Sequence, residues 1–132
     1  MKIMYKGKDG GRDSNVTGYW LVEIKSLFSI VLLCFDKGSR EAFHNHAFHA
    51  ISWVIKGHLK EHIKTTNDYK WMDLVPSFKP IFTPRDRMHQ VFGIADKTWV
   101  ISFRGPWTST WKEYFKSIDK TITLTNGRVV VK

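Results

Sequence analysis

Apolar positions along this chain alternate far more often than they recur at helical spacing. Gly18 to Ile24 and Leu27 to Phe35 are rich in β-branched and aromatic residues. The second is a near-continuous apolar run, the pattern of a strand buried on both faces. Ala47 to Ile55, Leu59 to Thr65, Phe78 to Thr83 and His89 to Phe92 are further short strand candidates. Thr98 to Arg104 alternates cleanly, with Trp99, Ile101 and Phe103 on one face and Thr98, Val100, Ser102 and Arg104 on the other. Near the C-terminus, Thr121 to Thr125 and Arg128 to Val131 flank Asn126-Gly127, a strong hairpin signal. One segment breaks the pattern: in Ser109 to Ile118, the spacing of Trp111, Tyr114 and Phe115 predicts a short helix. Asp9-Gly10-Gly11-Arg12 reads as a turn. No repeat or linker divides the chain, so residues 1–132 read as one domain. Many short strands with Gly and Pro turns predict an all-β sandwich or small barrel with at most short helices.

Composition narrows the class. The 132 residues are 42% hydrophobic and 25% charged, which excludes a disordered or coiled-coil chain as the main state. No apolar run approaches the ~20 residues that span a bilayer. The start, Met1 to Lys6, lacks the long apolar stretch of a signal peptide. The expectation is a soluble, cytoplasmic protein with no membrane partner. Cys34 is the only cysteine, so no intrachain disulfide can form, and it reads as a small buried hydrophobe. The net charge of +9 invites a nucleic-acid reading, but the basic residues are dispersed without a block of like charge. Nucleic acid is therefore not favoured as the partner.

The histidines carry the candidate chemistry. There are six, and three fall in Phe43-His44-Asn45-His46-Ala47-Phe48-His49. On an extended chain His44 and His46 point the same way and present two imidazoles together, which suits a transition metal. His49 has the other parity. A third ligand must come from elsewhere in the fold. His89, after Pro84-Arg85-Asp86-Arg87-Met88, is the leading candidate, and His62 is the fallback.

These residues resemble the cupin superfamily. Gly38-Ser39-Arg40-Glu41-Ala42-Phe43-His44-Asn45-His46, continuing to Gly57, resembles its first motif, and Pro84 to His89 resembles its second. The resemblance implies a jelly-roll β-barrel with a metal inside. The acidic ligand usual in that motif would fall near Ala50 or Ile51, so the site reads as three histidines: His44, His46 and His89. A three-His centre resembles the thiol dioxygenases, cysteine dioxygenase among them, over a core of about residues 27–107. His49 to Glu61 and Trp99 to Pro106 resemble stretches of that family. Three positions depart from it. The substrate-binding Arg of the family has no counterpart in Asn15 to Trp20. Its Ser-His-Tyr alternation falls on Val100, Ser102 and Arg104, and its crosslinking Cys falls on Ala50.

From this resemblance follows the functional expectation. It is a metal-binding cupin, a non-haem iron dioxygenase-like oxidoreductase acting on a small anionic substrate. Fe(II) is the implied cofactor, and Zn, Ni or Mn would also suit three imidazoles. Arg104, Ser102 and Trp53 are the candidate substrate-binding residues; no catalytic residue is assigned. Arg104 reads either as an anion clamp or as a structural Arg paired with Asp86 or Glu41. Trp107 and Trp111 read either as the mouth of the barrel or as its plug. A homodimer is implied by analogy. The alternatives are a non-catalytic cupin that binds a sugar or other small ligand, and a basic accessory protein associated with nucleic acid.

Overall fold

The computed structural model describes residues 2–9, 14–38, 43–65, 67–108, 110–115 and 120–125. They form eleven strands: β1 (Lys2–Lys8), β2 (Val16–Ile24), β3 (Phe28–Gly38), β4 (Phe43–His44), β5 (Ala50–Lys56), β6 (Leu59–Lys64), β7 (Tyr69–Leu74), β8 (Ile81–Thr83), β9 (Met88–Arg104), β10 (Thr110–Phe115) and β11 (Lys120–Thr125). Every pairing is antiparallel. Among the described residues there is no helix, and none that could cross a membrane.

Strand β9 joins two layers. Its first part, Met88 to Gly93, pairs with β6, and His89 pairs with His44 of β4. That builds one layer in the order β7-β6-β9-β4-β10-β11. Its last part, Trp99 to Arg104, lies between β3 and β5. That builds the other layer in the order β1-β2-β3-β9-β5-β8. The curled, all-β sheet closes as a jelly-roll β-barrel. Between the layers packs a core of Trp20, Val31, Leu33, Val54, Leu59 and Val100. Each sits on the inward face of a strand whose neighbours point out.

Parity along β9 changes between its halves. His89, Val91 and Gly93 are inward in the first half, whereas Thr98, Val100, Ser102 and Arg104 are inward in the second. The ladder with β3 is offset at the same place, where Asp36 pairs with Lys97 but Gly38 with Gly93. A Cβ on Gly93 would collide with the Asp36 carbonyl oxygen, so only glycine lets the two strands meet there.

The strand pattern agrees with the sequence for β2, β3, β6 and β11 and differs elsewhere. His89–Phe92 and Thr98–Arg104 belong to a single strand. The strand expected from Ala47 begins at Ala50, because the chain bends over Ala47 and Phe48. The strand expected from Phe78 begins at Ile81, just after Pro80, which cannot donate to a ladder. β1 and β7 were not anticipated. Their alternations are blurred by lysines in Lys2–Lys8 and by exposed aromatics in Tyr69–Leu74. The predicted helix at Ser109–Ile118 is overturned: residues 110–115 form β10. That strand is laddered to β11 on one side and to β4 on the other, and these bonds override the weak helical spacing. The Gly10-Gly11 turn and the Asn126-Gly127 hairpin with Arg128–Val131 lie outside the described residues.

Gly57 closes the β5–β6 turn with φ +106°, and an added Cβ would press on Thr98, whose Cα lies 2.7 Å away. Gly57→Ala should destabilise the fold by about 1–3 kcal/mol, seen as a lower urea midpoint with unchanged slope.

Candidate metal centre

The His44-Asn45-His46 turn is pinned from two sides. Asn45 donates its N–H to the Lys112 carbonyl (3.0 Å) and accepts from the Lys112 N–H on Oδ1 (2.6 Å). His46 donates its N–H to the Arg85 carbonyl at 3.2 Å, in the loop that leads into β9. Register does the rest, since His44 stands opposite His89 across the β4–β9 ladder. The three rings meet with centroids 4.9–5.0 Å apart. One nitrogen from each lies within 4.8 Å of the other two. The parity reading of His44 and His46, and the choice of His89 as the third member, place the same three residues together.

The remaining histidines are elsewhere. His62 points away from the triad and stacks on Trp71 at 3.9 Å. His49 accepts the Arg85 N–H on Nδ1 at 3.0 Å, and His58 meets Asp73 at 2.8 Å.

Glu61 is the residue that sequence reasoning missed. It is 2% exposed, and its carboxylate lies 2.5 Å from His89 Nδ1. Burial pushes the Glu61 carboxyl up, but the hydrogen bond from His89, the charge on His89 and Arg87 together outweigh it and leave the group below its ordinary value. An ionised carboxylate is acceptor-only, so Nδ1 must carry the proton. Nε2 of a neutral His89 then carries the lone pair. That atom is buried and has no hydrogen-bond partner among the described residues. A buried imidazole with one nitrogen fixed by a carboxylate and the other unsatisfied is the form in which a His binds a metal. The donor set therefore fits a transition metal. A signal was present: Leu59, Glu61 and Ile63 share the inward face of β6, and an acid there needs a partner.

The triad opens on a cavity of about 460 Å³ inside the barrel. Ser102 and Arg104 line it, as do Ala50, Trp107 and Trp111. Ser102 is hydrogen-bonded to Ser52 at 3.0 Å. Trp107 and Trp111 meet edge-to-face at 5.9 Å and pack on Ala47, Phe48 and Ala50, so they both close one end of the barrel and wall the cavity. Trp53 does not reach the cavity. Its neighbours Ser52 and Val54 point in, so Trp53 points out, where it packs on Phe103.

Arg104 is inward and 5% exposed, but it is not free to clamp a ligand. Its Nη1 and Nη2 donate to the two carboxylate oxygens of Asp9 at 3.3 and 2.7 Å. The guanidinium also lies over the Phe48 ring at 4.7 Å. The expected structural partners were Asp86 or Glu41; Asp9, at the end of β1, takes that place, and Glu41 lies outside the described residues. Nothing local in the sequence linked positions 9 and 104, which only the sheet brings together.

No protein-family model matches the sequence, and no curated protein matches it either. Solved structures do match in fold. A sugar phosphate isomerase from the cupin superfamily of Silicibacter pomeroyi superposes with a TM-score of 0.61 at 16% identity, over 89% of this chain and 76% of that one. The Fe(II) form of HppE gives 0.62 at 13% identity, over 76% and 55%. Oxalate oxidase gives 0.57 at 17% identity, over 76% and 56%. The chain thus spans just over half the length of the latter two. These likenesses define the class by its fold, the cupin β-barrel.

Asp9→Ala strands a buried guanidinium. It should cost about 3 kcal/mol, and Asp9→Leu combined with Arg104→Met should recover most of that loss. Equilibrium denaturation of the three variants checks both.

Proposed function

We propose that His44, His46 and His89 hold a divalent transition metal, Fe(II) in the first instance, and that the protein is a dioxygenase-like oxidoreductase of a small anionic molecule. The observation that carries this is the buried, unsatisfied Nε2 of His89 beside two further imidazoles, with Glu61 fixing the tautomer. The likeness to Fe(II) HppE supports an iron centre on this fold, and that to oxalate oxidase supports an oxidation. His44, His46 and His89 would hold such an iron, which would supply the redox chemistry for activating dioxygen toward a substrate.

The protein's own groups do the remaining work. The usual acidic ligand would fall near Ala50 or Ile51, so no carboxylate in that place offsets the charge of a bound cation. Glu61 supplies one negative charge beside the site, so a divalent cation there would leave a net positive charge, which favours an anionic substrate. Arg104, neutralised by Asp9, shapes the cavity and does not supply the counter-charge. Ser102 and Ser52 offer hydroxyls on the wall, and Phe48, Trp107 and Trp111 exclude water from that end. Glu61 keeps the His89 proton on Nδ1.

A second reading is binding of a sugar or other small ligand without turnover. It is favoured by the two tryptophans in the cavity wall and by the likeness to a sugar phosphate isomerase.

Anaerobic loading with Fe(II), followed by elemental analysis, should give about one ion per chain in the wild type. His44→Ala and His89→Ala should lose it while keeping the β-sheet circular dichroism. Glu61→Gln should bind about 10–100-fold more weakly, read by chelator competition. Full metal in either His variant overturns the site. Dioxygen uptake by the loaded wild type with small carboxylic acids and thiols separates the two readings. Uptake supports the oxidoreductase, and ligand binding without uptake supports the binding module.

A further inference from the structure

Strand β2 starts with a clean alternation. Val16 and Trp20 line the cavity, and Gly18 between them is buried. Continued unbroken, that alternation would turn Val22 and Ile24 inward and Glu23 to water, as their chemistry prefers. The structure does the reverse. Trp20 pairs with Val31 of β3 but Val22 with Ile30, so Leu21 is the extra residue of a β-bulge and is 48% exposed. Beyond it the faces exchange: Glu23 lines the cavity, and neither Val22 nor Ile24 does. The irregularity extends to β1, where Met4, between the partners of Val22 and Trp20, has φ 53°. A methionine holds that left-handed conformation at a cost.

The carboxyl so placed is 6% exposed and has no hydrogen-bond or ion-pair partner among the described residues. Its register partner on β3, Ser29, is fully buried with an Oγ that is also unsatisfied. Arg104, next across the same ladder, is taken by Asp9. Lys25, two residues on, also lines the cavity, with its ammonium over the Trp107 ring at 4.5 Å. A buried acid without a partner is costly. Glu61 and Arg104 are answered inside the protein, and Glu23 is not. A bulge that turns two aliphatic residues out to bring such an acid in re-aims a side chain, the usual role of bulges beside binding sites.

We infer that Glu23 is a ligand-binding residue, whose carboxyl takes a hydrogen-bond donor, an ammonium or a hydroxyl, on the molecule that fills the cavity. In either protonation state the carboxyl keeps an acceptor oxygen, which an aliphatic chain leaves unpaired. Given the reading of the cavity as a substrate site, on which this rests, the small anion proposed above also carries such a donor.

Urea denaturation of the metal-free protein comes first. With no ligand to answer the carboxyl, Glu23→Gln and Glu23→Leu should raise the urea midpoint with unchanged slope. A carboxyl that held the fold together would lower both midpoints, and that result overturns the inference. Binding comes second, by isothermal titration calorimetry of the Fe(II)-loaded protein without oxygen. The probes are straight-chain ω-amino acids, ω-hydroxy acids and unsubstituted carboxylic acids of matched length. A donor-bearing acid should bind about tenfold or more tightly than its unsubstituted counterpart. Glu23→Ala should erase that difference while Fe(II) content stays at the wild-type level. Glu23→Gln separates the two donors, since it keeps an acceptor without the charge. A preference for the hydroxy acid should survive it, and a preference for the amino acid should not. Equal binding of the matched acids, or a preference that Glu23→Ala leaves intact, overturns the inference. The midpoints, and a repeat of the titration on the metal-free protein, do not depend on Fe(II), so failure of the metal reading and failure of this one give different results.

Discussion

The ladder of β9 is the constraint on which the structure depends. One strand of seventeen residues donates its first part to one layer and its last part to the other. His89 and Arg104 are thereby carried on the same strand and both line one cavity. The approach of β3 to its middle requires Gly93, where any side chain would strike the Asp36 carbonyl. The histidine triad is a product of this arrangement, since β4 is only two residues long and owes its position to its neighbours β9 and β10.

Electrostatics inside the barrel follow from the cost of burying charge. Glu61 and Arg104 are both almost wholly buried, and each is met by a group from another strand. His89 answers Glu61, and Asp9 answers Arg104. The Arg104–Asp9 pair is thus neutral, whereas Glu61, hydrogen-bonded by a neutral His89, keeps its negative charge beside the triad. The imidazole nitrogens turned inward are left to set the chemistry. This division explains why an arginine inside the barrel does not act as an anion clamp.

Much of this was legible in the sequence, and what escaped did so for physical reasons. The all-β class showed in alternation, as in Thr98 to Arg104, whose two faces were separated residue by residue without saying which turned inward. The triad showed because His-x-His on an extended chain has only one geometry, and because His89 follows a proline turn. Asp9 was invisible because ion pairs ninety-five positions apart leave no local trace. Glu61 was visible only as an acid on an apolar face. Trp53 was misplaced because an aromatic near a motif says nothing about parity until the strand's register is known. β10 was misread as a helix because two neighbouring ladders outweigh a spacing carried by three residues.

The change of parity within β9 makes residues 94–97 a phase shifter. Each half of the strand has its own correct phase, and the segment between them supplies the odd step. Loss or gain of a single residue there would turn one half inside out, expelling either the histidine that completes the triad or the inward arginine of the other half. Changes of two residues would preserve both faces. The length of this short segment is therefore fixed modulo two, whatever its composition. It offers a marker by which distant relatives with the same internal arrangement can be told from those that share only the barrel.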